Sequence, residues 1–167
     1  MTGERILLVD DSAQVRQFLA ETVLPIEGYD VLTACDGLEG YTLARDLEPD
    51  LIVADYMMPN LNGLDMLRKL RSDGVNTPFI LITAEGSERL AVEALRLGVS
   101  DYLIKPFDSD DLIESMRFVL REHWTRQIAN HIPEHLLAAN RALEERMRAL
   151  ITLVEIGQRV TSNLDLE

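Results

Sequence analysis

The sequence predicts a parallel α/β domain over residues 1–122, with five strands and with helices on both faces of the sheet. Five short apolar runs alternate with helix-like segments of ten or more residues. Such repeated alternation is typical of a parallel sheet with right-handed crossovers. Three of the runs are almost continuously apolar, as expected for strands that are covered on both faces. These observations predict a five-stranded doubly wound sheet.

The predicted strands are five apolar stretches of four to six residues. They read RILLV (5–9), YDVLTA (29–34), LIVA (51–54), FILIT (79–83) and DYLI (101–104). The first, third and fourth contain few polar residues, so these three are predicted to be buried on both sides of the sheet.

The segments between the strands have apolar side chains at the three- to four-residue spacing of amphipathic helices. The first predicted helix follows Ser12, and its apolar face comprises Val15, Phe18, Leu19 and Thr22. The other helices are predicted over about 38–47, 63–72 and 87–97, and after the acidic stretch 108–110. Gly98 is a stop signal for the fourth helix, and the acids at 108–110 suit a helix N-terminus.

The charge of the chain is strongly negative and unevenly distributed. The net charge is −13, of which −12 falls on residues 1–122 and −1 on residues 123–167. Much of the acidic excess serves solubility. The change in charge density predicts a boundary near residue 122, between a globular domain and a C-terminal connector that covers residues 123–167.

The composition excludes several classes of protein. The sequence has no run of eighteen apolar residues and no basic and apolar N-terminus, so neither a membrane span nor a signal peptide is predicted. Nucleic-acid binding would need a basic face, which this acidic segment does not offer. A single cysteine, Cys35, cannot form an internal disulfide. We therefore expect a cytoplasmic protein.

Polar side chains follow four of the five predicted strands. Asp10 and Asp11 come after the first strand, Asp55 after the third, Thr83 at the end of the fourth and Lys105 after the fifth. In an open parallel sheet, ligands bind at the carboxyl ends of the strands, near the switch in strand order. We therefore expect these side chains to converge in one site.

The predicted site has the chemistry of a phosphoryl acceptor. Three carboxylates in one place would repel one another unless a cation lies among them, and an all-oxygen ligand set suits Mg²⁺. An aspartate can attack phosphorus to form an acyl phosphate. Taken singly, each aspartate is more simply explained as a helix cap or a turn residue, and only the combination favours a site. The Lys105–Pro106 bond is a candidate cis peptide.

Four motifs at the strand ends carry a family resemblance: LLVDDS, LIVADYMMPNLNGLDML, ILITA and DYLIKPF. Together they resemble the response-regulator receiver domain of two-component signalling, and they cover about residues 3–122. The resemblance implies a flavodoxin-like fold, a Mg²⁺ ion, and a phosphoryl donor that is a sensor histidine kinase or a phosphotransfer protein. It also implies that the chain catalyses only its own phosphorylation and dephosphorylation.

The resemblance implies a role for each residue of the site. Asp55 matches the phosphoacceptor. Asp10 and Asp11 match the acidic pair that holds Mg²⁺ together with Asp55 and the backbone carbonyl of Met57. Lys105 matches the lysine that contacts a phosphoryl oxygen.

The resemblance also identifies a switch pair and two positions that influence phosphoryl lifetime. Thr83 and Tyr102 match the pair in which the hydroxyl moves toward the phosphoryl group while the ring turns inward. Met57 and Glu85 occupy the two variable positions on which phosphoryl lifetime depends in the family.

The C-terminal connector has a seven-residue repeat. After Pro133, which suits the first position of a helix, Leu136, Leu143 and Leu150 recur at one seam position, and Asn140, Met147 and Val154 at the other. Asn at one such position favours parallel dimers. We expect a dimeric coiled coil from about residue 134 to 156. The alternative is an amphipathic helix that packs on its own receiver domain.

The last residues suggest a further domain. LVEIGQRVTSNLDLE resembles the connector that leads into a GAF-type sensory domain. We therefore expect an output module beyond residue 167. Two alternatives remain: a stand-alone dimeric regulator that acts by protein contact, and a Mg²⁺-dependent phosphatase with an aspartyl nucleophile. Such phosphatases carry D-x-D on their first strand, whereas Asp10 and Asp11 are adjacent here.

Overall fold

A computed structural model of the protein describes residues 3–84 and 88–130. Its strands are β1 Arg5–Val9, β2 Asp30–Ala34, β3 Leu51–Asp55, β4 Phe79–Thr83 and β5 Asp101–Ile104. Its helices are α1 Ala13–Phe18, α2 Gly37–Leu47, α3 Gly63–Ser72, α4 Glu88–Arg96 and α5 Ser109–Asn130. The alternation of strands and helices confirms the predicted fold class.

The five strands form one parallel sheet in the order β2-β1-β3-β4-β5. The chain runs from β1 outward to β2, returns to β3 on the other side of β1, and then continues to β4 and β5. The switch in strand order therefore lies between β1 and β3, where Val9 pairs with Ala54. The residues that follow β1 and end β3 thus meet at the carboxyl edge of the sheet.

The sheet is buried on both faces. Leu7 and Val9 of β1 belong to an apolar cluster that includes Leu67 of α3. Ile6 and Leu8 point to the opposite face and belong to a second cluster that includes Leu112 of α5. Because neighbouring residues of a strand point to opposite faces, burial on both faces explains why the central strands are continuously apolar.

Polar caps start three helices at the carboxyl edge of the sheet. Ser12 accepts a hydrogen bond from the backbone of Val15 at the start of α1. Asp36 caps α2, and Asn62 caps α3 by accepting from Asp65. Such caps satisfy N–H groups of the first helical turn that have no partner within the helix. The caps therefore fix where each helix leaves the edge that carries the site.

The first helix differs from its prediction. The α-helical part ends at Phe18 and continues as a π-helical turn over Leu19–Val23, in which the backbone N–H of Leu24 bonds to the carbonyl oxygen of Leu19 at 2.9 Å. The wider turn rotates the side chains relative to a regular helix. Leu19 is consequently buried, whereas Phe18, which was predicted on the apolar face, is half-exposed.

The boundary near residue 122 stays a prediction. Helix α5 continues without a break to Asn130, and the compact unit that contains the sheet ends at Trp124. The predicted coiled coil from about residue 134 and the GAF-type connector lie outside the described residues. None of the helices in the described part of the chain combines the length and apolar content that crossing a membrane requires.

A glycine at the start of α3 permits the close approach of this helix to β3. A Cβ atom on Gly63 would lie 2.4 Å from the carbonyl oxygen of Asp55 and 2.9 Å from a methyl carbon of Leu81. We expect Gly63→Ala to lower the free energy of unfolding by about 3 kcal/mol, because the backbone must shift to relieve the overlap. Urea denaturation followed by circular dichroism measures this change.

The matched control is Gly74→Ala, at a position with φ of +79° and no atom within 4 Å of the added Cβ. An alanine at this position meets no steric overlap and only has to adopt the left-handed backbone conformation, which costs about 1 kcal/mol. Equal losses in the two variants would contradict the steric explanation for Gly63.

Candidate functional site

Three aspartates meet at the carboxyl edge of the sheet, at the switch in strand order. Asp10 and Asp11 follow β1, and Asp55 is the last residue of β3. One carboxylate oxygen from each lies within 4.8 Å of the other two. Asp10 and Asp55 are only 2% and 6% exposed, whereas Asp11 is open to solvent. The predicted convergence of the three carboxylates is present in the structure.

Neighbouring backbone groups hold Asp10 in place. Its N–H donates to the carbonyl of Ala34 at 3.2 Å, which continues the pairing with β2 by one residue. Its Oδ1 accepts the N–H of Ser12 at 2.8 Å. The guanidinium of Arg16 donates to the carbonyl oxygen of Asp10 at 2.6 Å. The other carboxylate oxygen, Oδ2, lies 3.6 Å from Nζ of Lys105.

Lys105 brings a positive charge between the two buried carboxylates. Its backbone N–H donates to the carbonyl of Thr83 at 2.7 Å, and the bond that follows it, Lys105–Pro106, is cis as anticipated. Its Nζ donates to Oδ2 of Asp55 at 2.5 Å. Lys105 therefore partly balances the negative charge of the site, although three carboxylates outnumber one ammonium group.

Burial and charge have opposing effects on the ionisation of this site. Burial raises the pKa of Asp10, and the nearby charges of Asp55 and Asp11 also raise it. The hydrogen bond from Ser12 and the charge of Lys105 lower this pKa, but the raising effects are larger. Burial lowers the pKa of Lys105, but the hydrogen bond and charge of Asp55 and the charge of Asp10 outweigh it, so that the pKa is raised overall. Lys105 is thus firmly cationic, and Asp10 resists ionisation.

The loop between β3 and α3 places a backbone group beside Asp55. The N–H of Met57 donates to Oδ1 of Asp55 at 3.2 Å. The side chain of Met57 is largely exposed, so its backbone is the part that faces the site. Gly63 closes the loop by donating its N–H to the carbonyl of Tyr56 at 3.0 Å.

The two residues predicted as a switch pair lie on neighbouring strands. Thr83 is fully buried at the end of β4. Tyr102 on β5 pairs with Leu81 in the sheet, and its half-buried ring packs against an apolar cluster that includes Leu81. Glu85, which was predicted to influence phosphoryl lifetime, lies outside the described residues.

The donor set fits a hard divalent cation. All three side chains offer carboxylate oxygens, and their spacing allows one atom from each to reach a shared ion. Mg²⁺ prefers oxygen ligands and keeps several waters, so a few carboxylates at an open edge are sufficient. The exposed Asp11 leaves one side of the cluster accessible to water.

Sequence reasoning missed the contribution of Arg16. Its contact with the Asp10 carbonyl joins α1 to the end of β1, six residues earlier in the chain. Arg16 stands in an ordinary polar position of an amphipathic helix, so no local signal distinguishes it from other surface arginines. Only the angle between α1 and β1 brings its guanidinium to the site.

A family model and curated relatives match this chain. The model of the response regulator receiver domain matches residues 6–117. Transcriptional regulatory protein CpxR of Klebsiella pneumoniae is 44% identical over 124 residues, which cover 74% of this chain and 52% of that protein. Hybrid signal transduction histidine kinase D of Dictyostelium discoideum is 39% identical over 147 residues, which cover 87% of this chain and 9% of that protein. The chain thus spans about half, or far less, of these curated relatives.

Solved structures match the same part of the chain. The receiver domain of the Francisella response regulator 1452 has a TM-score of 0.68 and 35% identity, covering 72% of this chain and 99% of that one. The signal receiver domain of a putative LuxO repressor protein from Vibrio parahaemolyticus has a TM-score of 0.71 and 29% identity, covering 77% of this chain and 98% of that one. The sheet order, the acidic cluster and these matches agree: the chain belongs to the response regulator receiver domain family.

Proposed function

We propose that the chain is a signalling switch in which Asp55 accepts a phosphoryl group from a phosphohistidine. The donor would be a sensor histidine kinase or a phosphotransfer protein. The observation that carries this proposal is the contact of the Lys105 ammonium with the buried Asp55 carboxylate, beside Asp10 and at the switch point of the sheet. The chain would act in the cytoplasm.

In this proposal Asp55 is the nucleophile. A carboxylate oxygen attacks phosphorus, the new P–O bond forms as the P–N bond of the phosphohistidine breaks, and the imidazole leaves with the electron pair. The ammonium of Lys105 contacts the Asp55 carboxylate before transfer, and afterwards it can bond to a phosphoryl oxygen. A Mg²⁺ ion held by Asp10, Asp11, Asp55 and the carbonyl of Met57 would neutralise charge on the transferred group.

Thr83 and Tyr102 are proposed to report the phosphorylated state. The Thr83 hydroxyl stands at the end of β4, one strand from Asp55, and a hydroxyl can donate to a phosphoryl oxygen. Its movement toward the phosphoryl group would leave space that the half-buried ring of Tyr102 can enter. Met57 and Glu85 are proposed to tune phosphoryl lifetime, and the exposed side chain of Met57 supports this for the first of them.

Phosphorylation at Asp55 can be tested with a small-molecule donor. With acetyl phosphate and Mg²⁺, we expect intact-protein mass spectrometry to show one added phosphoryl group, stable in acid and labile in base. Asp55→Asn should abolish labelling, because an amide is not a competent nucleophile. Asp46→Asn, at an exposed aspartate on α2, is the control and should label normally. Steady turnover of a small phosphoester without a labelled chain would instead indicate the phosphatase alternative.

Asp10 provides a test of the metal site. Burial raises its pKa, so the stability that protonated Asp10 confers is lost as the pH rises through that pKa. In EDTA at pH 7, we expect Asp10→Asn to raise the free energy of unfolding by about 1 kcal/mol. The asparagine keeps an oxygen to accept from Ser12.

Mg²⁺ should reverse this order of stability. Saturating Mg²⁺ should stabilise the wild type, because it binds only the folded state, by about 2.7 kcal/mol at one hundred times its Kd. Asp10→Asn should gain much less. Thermal unfolding with and without Mg²⁺ measures both effects, and an equal gain in the two proteins would place the ion elsewhere.

We further propose that the C-terminal helix dimerises the chain and passes the signal to an output module. The helix α5, which extends to Asn130, supports this, because it ends only a few residues before the heptad repeat in the sequence. Sedimentation at tens of micromolar should show a dimer. Leu143→Glu, in the repeat, should give a monomer, whereas Arg141→Glu, outside both seam positions, should not. A monomeric wild type would contradict dimerisation through this helix. It would also contradict the alternative of a stand-alone dimeric regulator.

A further inference from the structure

The loop that carries the phosphoacceptor site is joined to the start of α2. The side-chain amide of Asn60, in the β3–α3 loop, donates to Oδ2 of Asp36 at 2.7 Å. The backbones of the loop and of α2 also approach each other closely, because a Cβ atom on Gly37 would lie 2.0 Å from the carbonyl oxygen of Leu61. The tip of the loop therefore lies directly against the first residue of α2.

Asp36 is a rigid anchor for this contact. Its Oδ1 accepts the N–H groups of Leu38 at 2.9 Å and of Glu39 at 2.8 Å, which leaves Oδ2 for Asn60. Glu39 in turn accepts the N–H of Cys35 at 2.7 Å, so a second carboxylate of the first helical turn holds the residue that precedes the cap. The bonds from the Glu39 backbone and from Asn60 lower the pKa of Asp36. Asn60 therefore donates to a carboxylate, which gives a stronger bond than a neutral acceptor.

Asn60 adopts a backbone conformation that suits asparagine. Its φ is +65°, in the left-handed region, which asparagine tolerates better than most residues. The turn also contains a short bond from the N–H of Leu61 to the carbonyl of Pro59 at 2.7 Å. Within the same loop, the N–H of Met57 reaches Oδ1 of Asp55. The contact with Asp36 thus fixes one end of a segment whose other end touches the phosphoacceptor.

We propose that Asn60 is a positioning residue for the phosphoacceptor site, acting through its hydrogen bond to Asp36 to hold the backbone of Met57 beside Asp55. This inference rests on the proposed function of Asp55. Without the bond the loop samples other conformations, and Mg²⁺ must order it again on binding. Both Mg²⁺ affinity and the rate of phosphorylation therefore fall. The core of the sheet is unaffected, because the bond lies at the surface.

The principal variant is Asn60→Gly, which removes the amide and keeps a residue that readily adopts positive φ. We expect Mg²⁺ binding measured by calorimetry to weaken about fivefold, the equivalent of one hydrogen bond. Labelling by acetyl phosphate at subsaturating Mg²⁺ should slow to a similar degree. Hydrogen exchange at the Met57 amide should become faster. Exchange at the amides of β1 should not change.

An exchanged pair tests whether the hydrogen bond itself carries the effect. Asn60→Asp alone places two carboxylates together and should weaken Mg²⁺ binding at least as much as Asn60→Gly. Combining it with Asp36→Asn restores a donor and an acceptor, keeps the net charge, and leaves an oxygen to cap α2. The double variant should bind Mg²⁺ within about twofold of the wild type, since one complementary bond replaces another.

Tyr41→Phe is the matched control, since it removes a side-chain bond between α2 and Asp73, away from the site. It should leave Mg²⁺ affinity unchanged. The inference would be overturned if Asn60→Gly kept the Mg²⁺ affinity and the Met57 hydrogen exchange of the wild type. It would also be overturned if the double variant bound Mg²⁺ as weakly as Asn60→Asp. In both cases, labelling at Asp55 would still uphold the proposed function. A wild type that neither binds Mg²⁺ nor labels would remove both.

Discussion

The contact between Lys105 and Asp55 is the interaction on which the site depends. Two buried carboxylates and a third, exposed one converge at a single sheet edge, where their mutual repulsion opposes folding. The ammonium of Lys105 reduces this repulsion from within the structure, since its Nζ contacts Asp55 and approaches Asp10. One positive charge is not enough to balance three negative ones. The remaining negative charge is what suits the site to a divalent cation.

Lys105 can reach this position because of the sheet on which it stands. Its backbone bonds to the carbonyl of Thr83, so β5 continues its alignment with β4 as far as the lysine. β4 is in turn aligned with β3, where Asp55 pairs with Ile82. Parallel register across three strands therefore determines the distance between the ammonium of Lys105 and the carboxylate of Asp55. The apolar residues buried on both faces hold that register.

The loops at this edge differ in how they are fixed. Residues that end strands are held by the ladder of backbone bonds, whereas the β3–α3 loop is held by individual side-chain contacts such as that of Asn60 with Asp36. Segments held by few exposed bonds open at low cost in free energy. The site thus combines an aspartate at the end of a strand with a loop that individual side-chain contacts hold.

Much of this protein was determined by its sequence alone. The alternation of apolar runs and amphipathic segments specifies the parallel sheet, because each run is long enough for one strand and too apolar to be exposed. The positions of Asp10, Asp55, Thr83 and Lys105 at strand ends specify the site, because parallel strands deliver their carboxyl ends to one edge. The X-Pro sequence at Lys105 also made the cis bond a candidate.

Other features were decided only by tertiary structure. The π-helical turn at Leu19–Val23 has no local signal in the sequence, and the burial of Leu19 in an apolar cluster on one face of the sheet is seen only in the tertiary structure. Arg16 and Asn60 are polar surface residues in the sequence, and they acquire partners only when α1 and α2 pack beside the strand ends. The physical reason is the range of the interactions. The spacing of apolar residues and the residue types at strand ends can be read from a few neighbouring residues of the sequence. The contacts of Arg16 and Asn60 depend instead on the angles and distances between different helices, strands and loops.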